Sequence, residues 1–486
     1  MASDNLIPET RVLAIASHVV HGYVGNKMAT FVMQSLGCDV SAINTVHYSN
    51  HLAYKQVKGT KTSAGQILDL YEGLRQSNLT DFDVLLTGYV PSAEAVQTVG
   101  KIGRDIKFNA GTKPGSFFWV LDPVMGDNGK LYIPEDEVPE YKALLREADL
   151  ILPNQFEAEL LSDISITDLD SLAAAIQVLH KTYQVPHVII TSLRLTPDNQ
   201  TVPSRAPSKP PSGTQTPAGS PHRDAAKSHP SAWGAAESSN PPKEPQINLD
   251  DIENLTIIGS TATSDYKPRL FRIDTPVLPL FFSGTGDMFA ALTVPRLIEA
   301  VQAASTPDSD LRATPSWRSP DDVAPEDLPL AKAVQKVLAS MQAVLAKTTA
   351  KCEEKMAAFD KRAAKSGRAE DEDADDETQK KRHLALMNAS EVQVVRYVKE
   401  LVDPPDLERF TPRRVEEGGR VPNEVGDKKP DGLNVLHLGI GTEKEGAVQV
   451  VEADSKEEIM GPGPKKEVEE VIEITKPVRK EAVEES

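Results

Sequence analysis

Short apolar runs alternate with helical patterns through the first 195 or so positions of this chain, and that alternation limits the fold more than any other feature. Buried strands are expected at 11–17, 39–46, 83–87, 117–122, 150–152 and 187–191. Helical patterns lie between them at 26–36, 63–75, 92–106, 138–147, 155–161 and 171–183. Such an order predicts an α/β protein whose central, mainly parallel sheet is covered by helices on both faces. Open sheets of this kind bind ligands outside the carboxyl ends of their strands. Polar, glycine-bearing stretches fall just after the strands: 17–26, 47–51, Gly88-Tyr89, 122–127 and 154–157.

Later stretches read differently. Residues 196–246 are dense in Pro, Ser, Thr, Gly and Asn, with too few large apolar side chains to order themselves. Because strand patterns resume at 255–258 and 270–273, this tract is expected to be a disordered insertion within one large domain spanning 1–412. A second low-complexity insertion is expected at 305–327 and a strong helix at 330–359. A charged acidic linker should follow at 361–383, an apolar piece at 392–402, and a disordered acidic tail over 413–486.

Charge and cysteine content narrow the function. With 72 acidic against 53 basic residues, a formal charge of −19, the chain lacks the basic surface that nucleic acid requires. Cys38 and Cys352 alone allow neither a disulfide framework nor a cysteine zinc cluster. No apolar run approaches the length of a membrane span, and the N-terminus has neither a basic start nor an apolar core. The expectation is a reduced, soluble protein of the cytoplasm or nucleus, with no membrane or nucleic-acid partner.

Phe281-Phe282-Ser283-Gly284-Thr285-Gly286-Asp287 breaks an apolar run into two glycines and restarts as a helix. Without Cβ atoms, Gly284 and Gly286 let the backbone turn sharply and bring its N–H groups to a phosphate. The helix start adds free donors and the positive end of its dipole, so Gly284, Thr285 and Gly286 form a candidate anion hole. Asp287 in the first turn could be a helix cap, or a general base taking a proton from a hydroxyl beside the phosphate. Asp122, Asp127 and Glu157 offer the oxygen ligands that hard cations prefer, though Asp-Pro and Gly-Asp are also common turn dipeptides. Asn154 and Glu157 share one side of an opening helix. His18, His21, His47 and His51 are two loop pairs with no thiol or carboxylate partners in sequence, and are read as loop residues.

Taken in order, 17–26 (SHVVHGYVGN), 44–51 (NTVHYSNH), 122–127 (DPVMGD), 153–159 (PNQFEAE) and 284–287 (GTGD) resemble the pyridoxal kinases of the ribokinase-like family. The likeness is close over 11–195 and 255–300 and looser over 330–412. The glycine turn and the Asp-Pro-Val stretch mark ribokinase-like proteins in general; the first two stretches together point to the pyridoxal branch. The resemblance implies a three-layer ribokinase-like fold and ATP-dependent phosphorylation of the 5′-hydroxymethyl of a B6 vitamer, with Asp287 as base. It implies Mg²⁺ or another divalent cation with ATP, a monovalent cation (K⁺ or Na⁺), and a homodimer. It places Asp122, Asn154, Glu157, Thr191 and Ser192 at the nucleotide, Asp122, Asp127 and Glu157 at the metal, and Ser17, Val46, Tyr48, Leu52, Tyr89 and Asp287 at the vitamer.

Two positions depart from the family pattern. Leu52 follows His51 where the family has threonine, which implies either a weaker, purely apolar contact to substrate or a loop shifted by one residue, with Leu52 facing away and His51 or Tyr54 taking the polar role. Leu152 replaces a threonine, removing a side-chain ligand of the monovalent cation. The rival readings are a hydroxymethylpyrimidine-type kinase on the same fold and a non-catalytic scaffold with interaction tails.

Overall fold

The structure, a computed structural model, describes residues 7–194, 254–307, 309–365 and 372–415. The expected insertion at 196–246, and the expected tail beyond residue 415, lie outside the described residues. In chain order the elements are β1 (Thr10–Val19), α1 (Gly25–Ser35), β2 (Cys38–Tyr48), β3 (Gly59–Lys61), α2 (Ala64–Gln76), β4 (Val84–Thr87) and α3 (Ala93–Asn109). Then come β5 (Phe118–Leu121), β6 (Gly126–Asp127), β7 (Lys130–Leu131), α4 (Glu137–Leu144), β8 (Leu150–Ile151), α5 (Gln155–Ser162), α6 (Leu169–Lys181) and β9 (His187–Arg194). They are followed by β10 (Asn254–Thr261), β11 (Leu270–Pro276), α7 (Thr285–Ala304), α8 (Pro329–Lys365), α9 (Glu372–Ala389), α10 (Val398–Val402) and β12 (Arg413–Arg414).

Ten strands form one sheet in the order β12-β11-β10-β9-β8-β5-β4-β1-β2-β3, and β6 pairs with β7 as a separate hairpin. From β9 to β2 the neighbours are parallel, whereas β10, β11 and β12 at one edge and β3 at the other pair antiparallel. The expected mainly parallel sheet is therefore present. Its two faces are drawn from alternate residues of the same strands, as the period of two requires. Val12, Ala14, Phe118 and Val120 join one core with α1, α7 and α8, while Leu13, Ile15, Trp119 and Leu121 join the other with α2 to α6. A strand buried on both sides has to be apolar throughout, which is why these runs were visible.

Three expected boundaries are corrected. Residues 305–327, read as a low-complexity insertion, are folded onto the domain. Trp317 is 2% exposed, stacks on Phe118 at 4.1 Å between ring centroids, and donates its indole N–H to the Gly115 carbonyl at 2.9 Å. The buried Arg269 guanidinium donates to the carbonyls of Ser319, Pro320 and Val323. One large aromatic ring and one arginine hold a segment whose average composition carries no such signal.

In the stretch 361–383, read as a linker, α8 continues to Lys365 and α9 begins at Glu372. Ala385, Leu386 and Ala389 pack near Cys352, Met356 and Phe359 of α8 and near Leu280, so an apolar stripe beyond the acidic block supports the second helix. The expected tail also begins too early, since Arg413 and Arg414 pair with β11.

Candidate active site

The carboxyl ends of β1, β4 and β5 open onto a small cavity whose walls include Ala16, Gly25, Thr87, Gly88, Asp122 and Asp287. Gly284 precedes α7 in the left-handed region, at φ 82°. A Cβ there would stand 2.4 Å from the Tyr23 carbonyl oxygen, so glycine is required both for the turn and for the close approach of the two loops. Gly286 is exposed with open space where a side chain would stand, so the first turn of α7 is accessible to a ligand.

Asp287 lies in that first turn, yet no side chain caps the helix. Its carboxylate instead accepts the backbone N–H of Gly25, the first residue of α1. Burial raises its pKa above the ordinary aspartate value, and the Gly25 hydrogen bond partly opposes this. Asp122 is 8% exposed, and burial, with Glu157 and Asp287 nearby, pushes its carboxyl well above the usual range.

Glu157 is 4% exposed and its pKa is raised to about 8 by burial, even though three backbone N–H groups favour its ionised form. Those donors are Asn154 at 2.9 Å, Met125 at 2.9 Å and Gly126 at 3.3 Å. The Asn154 side chain completes the arrangement, accepting the Glu157 N–H at 2.9 Å and donating to the Gly126 carbonyl at 2.7 Å. Both residues thereby fix the β6–β7 hairpin against the start of α5. At the neighbouring strand end, Thr191 bridges to Asn154, and Ser192 is exposed in the left-handed region at φ 61°.

Three acids concentrated here without an opposing charge suit a divalent cation, since each would be stabilised by one. Among the described residues no three His, Cys, Asp or Glu side chains converge as a ready ligand shell. Asp127 is exposed, and its carboxylate is engaged by the backbone and side-chain amides of Asn128 at 2.7 and 3.0 Å. The donor set therefore fits an ion that takes one or two carboxylates and fills its remaining positions with water and phosphate.

Half-buried Ser17 lies near the carboxyl end of β1, its hydroxyl 2.3 Å from where a Gly25 Cβ would lie. Buried Val46 and Tyr48 and half-buried Tyr89 gather with Val19, Val24 and Val57 in a small apolar cluster. Leu52 is outside that cluster, 50% exposed on a short 3-10 turn. Leu52 thus lies away from that cluster, while His51, which is 8% exposed, is turned inward. Leu152 is buried in the core beneath the sheet.

Sequence reasoning missed Gly25 as a donor to Asp287. It also missed Glu391, which lies against His51 and Tyr54. Gly25 stood in a quoted stretch but its partner is set by tertiary packing, and nothing local to Glu391 marks it.

A glycine-turned helix start facing open space, a half-buried carboxylate beside it and an acid cluster at the carboxyl edge of a mainly parallel sheet define a ribokinase-like small-molecule kinase. The Phosphomethylpyrimidine kinase family pattern matches residues 33–205. A Schizosaccharomyces pombe protein with a provisional pyridoxal kinase name is 36% identical over 338 residues, covering 70% of this chain and 85% of that one. Pyridoxal kinase of Sus scrofa is 34% identical over 289 residues, covering 58% and 74%. Pyridoxal kinase of Leishmania donovani, solved with ADP and pyridoxamine, superposes with a TM-score of 0.54 at 26% identity, covering 83% of this chain and 98% of that one. The chain belongs to the pyridoxal kinase family.

Proposed function

We propose that this protein transfers the γ-phosphoryl group of ATP to the 5′-hydroxymethyl of pyridoxal, pyridoxine or pyridoxamine. The observation that carries this reading is Asp287, held by the Gly25 N–H at the mouth of the Gly284-Thr285-Gly286 turn. Asp287 takes the hydroxyl proton as the oxygen attacks γ-phosphorus, the bond to the β–γ bridging oxygen breaks, and ADP leaves. Backbone N–H groups at the start of α7 offset charge on the transferring oxygens. Asn154, Thr191 and Ser192 border the nucleotide. Ser17, Val46, Tyr48 and Tyr89 border the pyridine ring, with a hydroxyl for polar ring atoms and apolar faces for the plane.

A divalent cation, Mg²⁺ for preference, would be held by Asp122, Asp127 and Glu157, directly or through water, and would neutralise phosphate charge. A monovalent ion would rest on backbone carbonyls, since Leu152 offers no oxygen. By likeness to its family the protein is taken to act as a cytoplasmic homodimer. Among the described residues no helix is long and apolar enough to cross a membrane.

The match at 33–205 favours a second reading, a hydroxymethylpyrimidine kinase. Purified protein supplied with MgATP should form the 5′-phosphates of the vitamers faster than that of hydroxymethylpyrimidine. Turnover of the pyrimidine alone would replace the first reading with the second, and no turnover of either would leave only the scaffold.

A further inference from the structure

We propose that Glu391, on the segment just after α9, is a positioning residue for the vitamer side of the site, acting through His51. The proposal rests on the function above and adds a residue from the far end of the chain. The Glu391 carboxylate lies 3.2 Å from Nε2 of His51 and accepts the Tyr54 hydroxyl at 2.9 Å. Both partners of the contact are shielded, with side chains 8% and 14% exposed. Burial would raise the Glu391 pKa, but the bonds from His51 and Tyr54 prevail and hold it below its ordinary value.

Gly22 belongs to the same arrangement. A Cβ at that position would lie 2.6 Å from a Glu391 carboxylate oxygen, so the glycine makes room for the acid. Two neighbours on the same stretch add contacts to the same two loops. His383 Nε2 lies 2.8 Å from the Ala53 carbonyl oxygen and Asn388 Nδ2 lies 3.2 Å from His21 Nε2. The loops so held are the one that leads into α1, whose Gly25 N–H engages Asp287, and the one that follows Val46 and Tyr48 on β2.

The chemistry of the pair follows from which ring nitrogen is occupied. A carboxylate at Nε2 favours the proton there and leaves Nδ1 of a neutral imidazole as an acceptor. Nδ1 of His51 is buried and has no hydrogen-bond partner. Such an atom is costly unless a ligand satisfies it, and a ring hydroxyl, which all the B6 vitamers carry, is a donor of the right kind. Glu391 therefore sets both the tautomer and the place of the nitrogen that would meet the substrate.

The test uses the full chain with Glu391→Ala, Glu391→Gln, His51→Ala and the Glu391→Ala/His51→Ala double variant, with pyridoxal and ATP varied separately. Glu391→Ala is expected to raise the pyridoxal KM about three- to tenfold, the weight of one ordinary hydrogen bond, with kcat and the ATP KM little changed. Glu391→Gln should recover most of that loss, because its amide oxygen still accepts from Nε2–H. The double variant should be no worse than His51→Ala alone, as two residues acting as one unit require. Additive losses in the double variant, or an unchanged pyridoxal KM in Glu391→Ala, would overturn the proposal while leaving the function intact.

An unchanged KM in His51→Ala would overturn both the proposal and the placement of the vitamer beside this loop. Absence of pyridoxal turnover by the unaltered protein would overturn the function as well. If Glu391→Ala folds poorly, ¹⁵N resonances of His51 in the unaltered protein decide instead: the Nε2–H tautomer supports the proposal and the Nδ1–H tautomer overturns it.

Discussion

The backbone N–H of Gly25 donates to the carboxylate of Asp287, tying the first residue of α1 to the first turn of α7. Gly25 sits at φ 53°, and a Cβ on it would lie 2.0 Å from the Ser17 carbonyl oxygen. The acid is thus aimed by a backbone donor from another loop, one that only glycine can supply at that spacing.

Asp287→Asn should lower kcat by about 10² to 10⁴, the usual weight of a general base, with little change in melting temperature or ATP affinity. Steady-state assays beside calorimetric ATP titration check this. Near-full activity in the variant would remove Asp287 from the chemistry.

Gly284→Val should harm nucleotide more than vitamer. It places a β-branched side chain at φ 82°, with its Cβ 2.4 Å from the Tyr23 carbonyl oxygen. The turn must then shift and carry its N–H groups away from the phosphates. A raised ATP Kd and a lowered kcat, measured together, are the expected result.

Stability of the metal-free protein should fall as pH rises from about 6.5 towards 8. Glu157 titrates at about 8 in the fold against 4.5 for an ordinary glutamate, and Glu137, wholly buried, at about 7. At these two glutamates the folded state binds more protons, so their contribution is complete below 4.5 and lost through the folded pKa values; buried His180 and His187, held at about 4 and 3 in the fold, offset that loss up to about pH 6.5, and above it the glutamates act alone. Melting temperatures at pH 6.5 and pH 8 should differ accordingly, and MgATP should recover the part of the loss that belongs to Glu157. A melting temperature that rises over this range would contradict the assignment.

Trp317→Ala should cost about 3 to 5 kcal/mol, as deletion of a buried aromatic side chain usually does. The ring is 2% exposed and stacked on Phe118, so the loss opens a void against β5. Denaturant midpoints measure it. A change below about 1 kcal/mol would mean that 305–327 is not part of the fold's support.

Leu52→Thr should leave the pyridoxal KM within about twofold. At 50% exposure outside the Val46–Tyr48–Tyr89 cluster, Leu52 has no contact for threonine to replace, and surface substitutions are generally worth within ±0.5 kcal/mol. A tenfold fall in KM would show that the turn rearranges to bring residue 52 to the substrate.

How much of this was readable in the sequence depends on the range over which each feature is decided. The strands at 39–46, 83–87 and 187–191 were visible because burial on both faces demands continuous apolar runs, and the helix from Thr285 because two glycines interrupt one. The order of motifs likewise brought Asp122, Asn154, Glu157 and Asp287 to one sheet edge, since strand ends in a parallel sheet lie on one side by topology. What packing alone decided has partners remote in sequence. Trp317 orders an otherwise featureless segment by meeting Phe118, Leu52 turns outward as His51 turns in, Gly25 gives its N–H to Asp287, and Glu391 reaches His51 from beyond α9. Composition and periodicity average over neighbours along the chain, whereas each of these contacts is a single pair of groups brought together when the sheet and its two helical layers close.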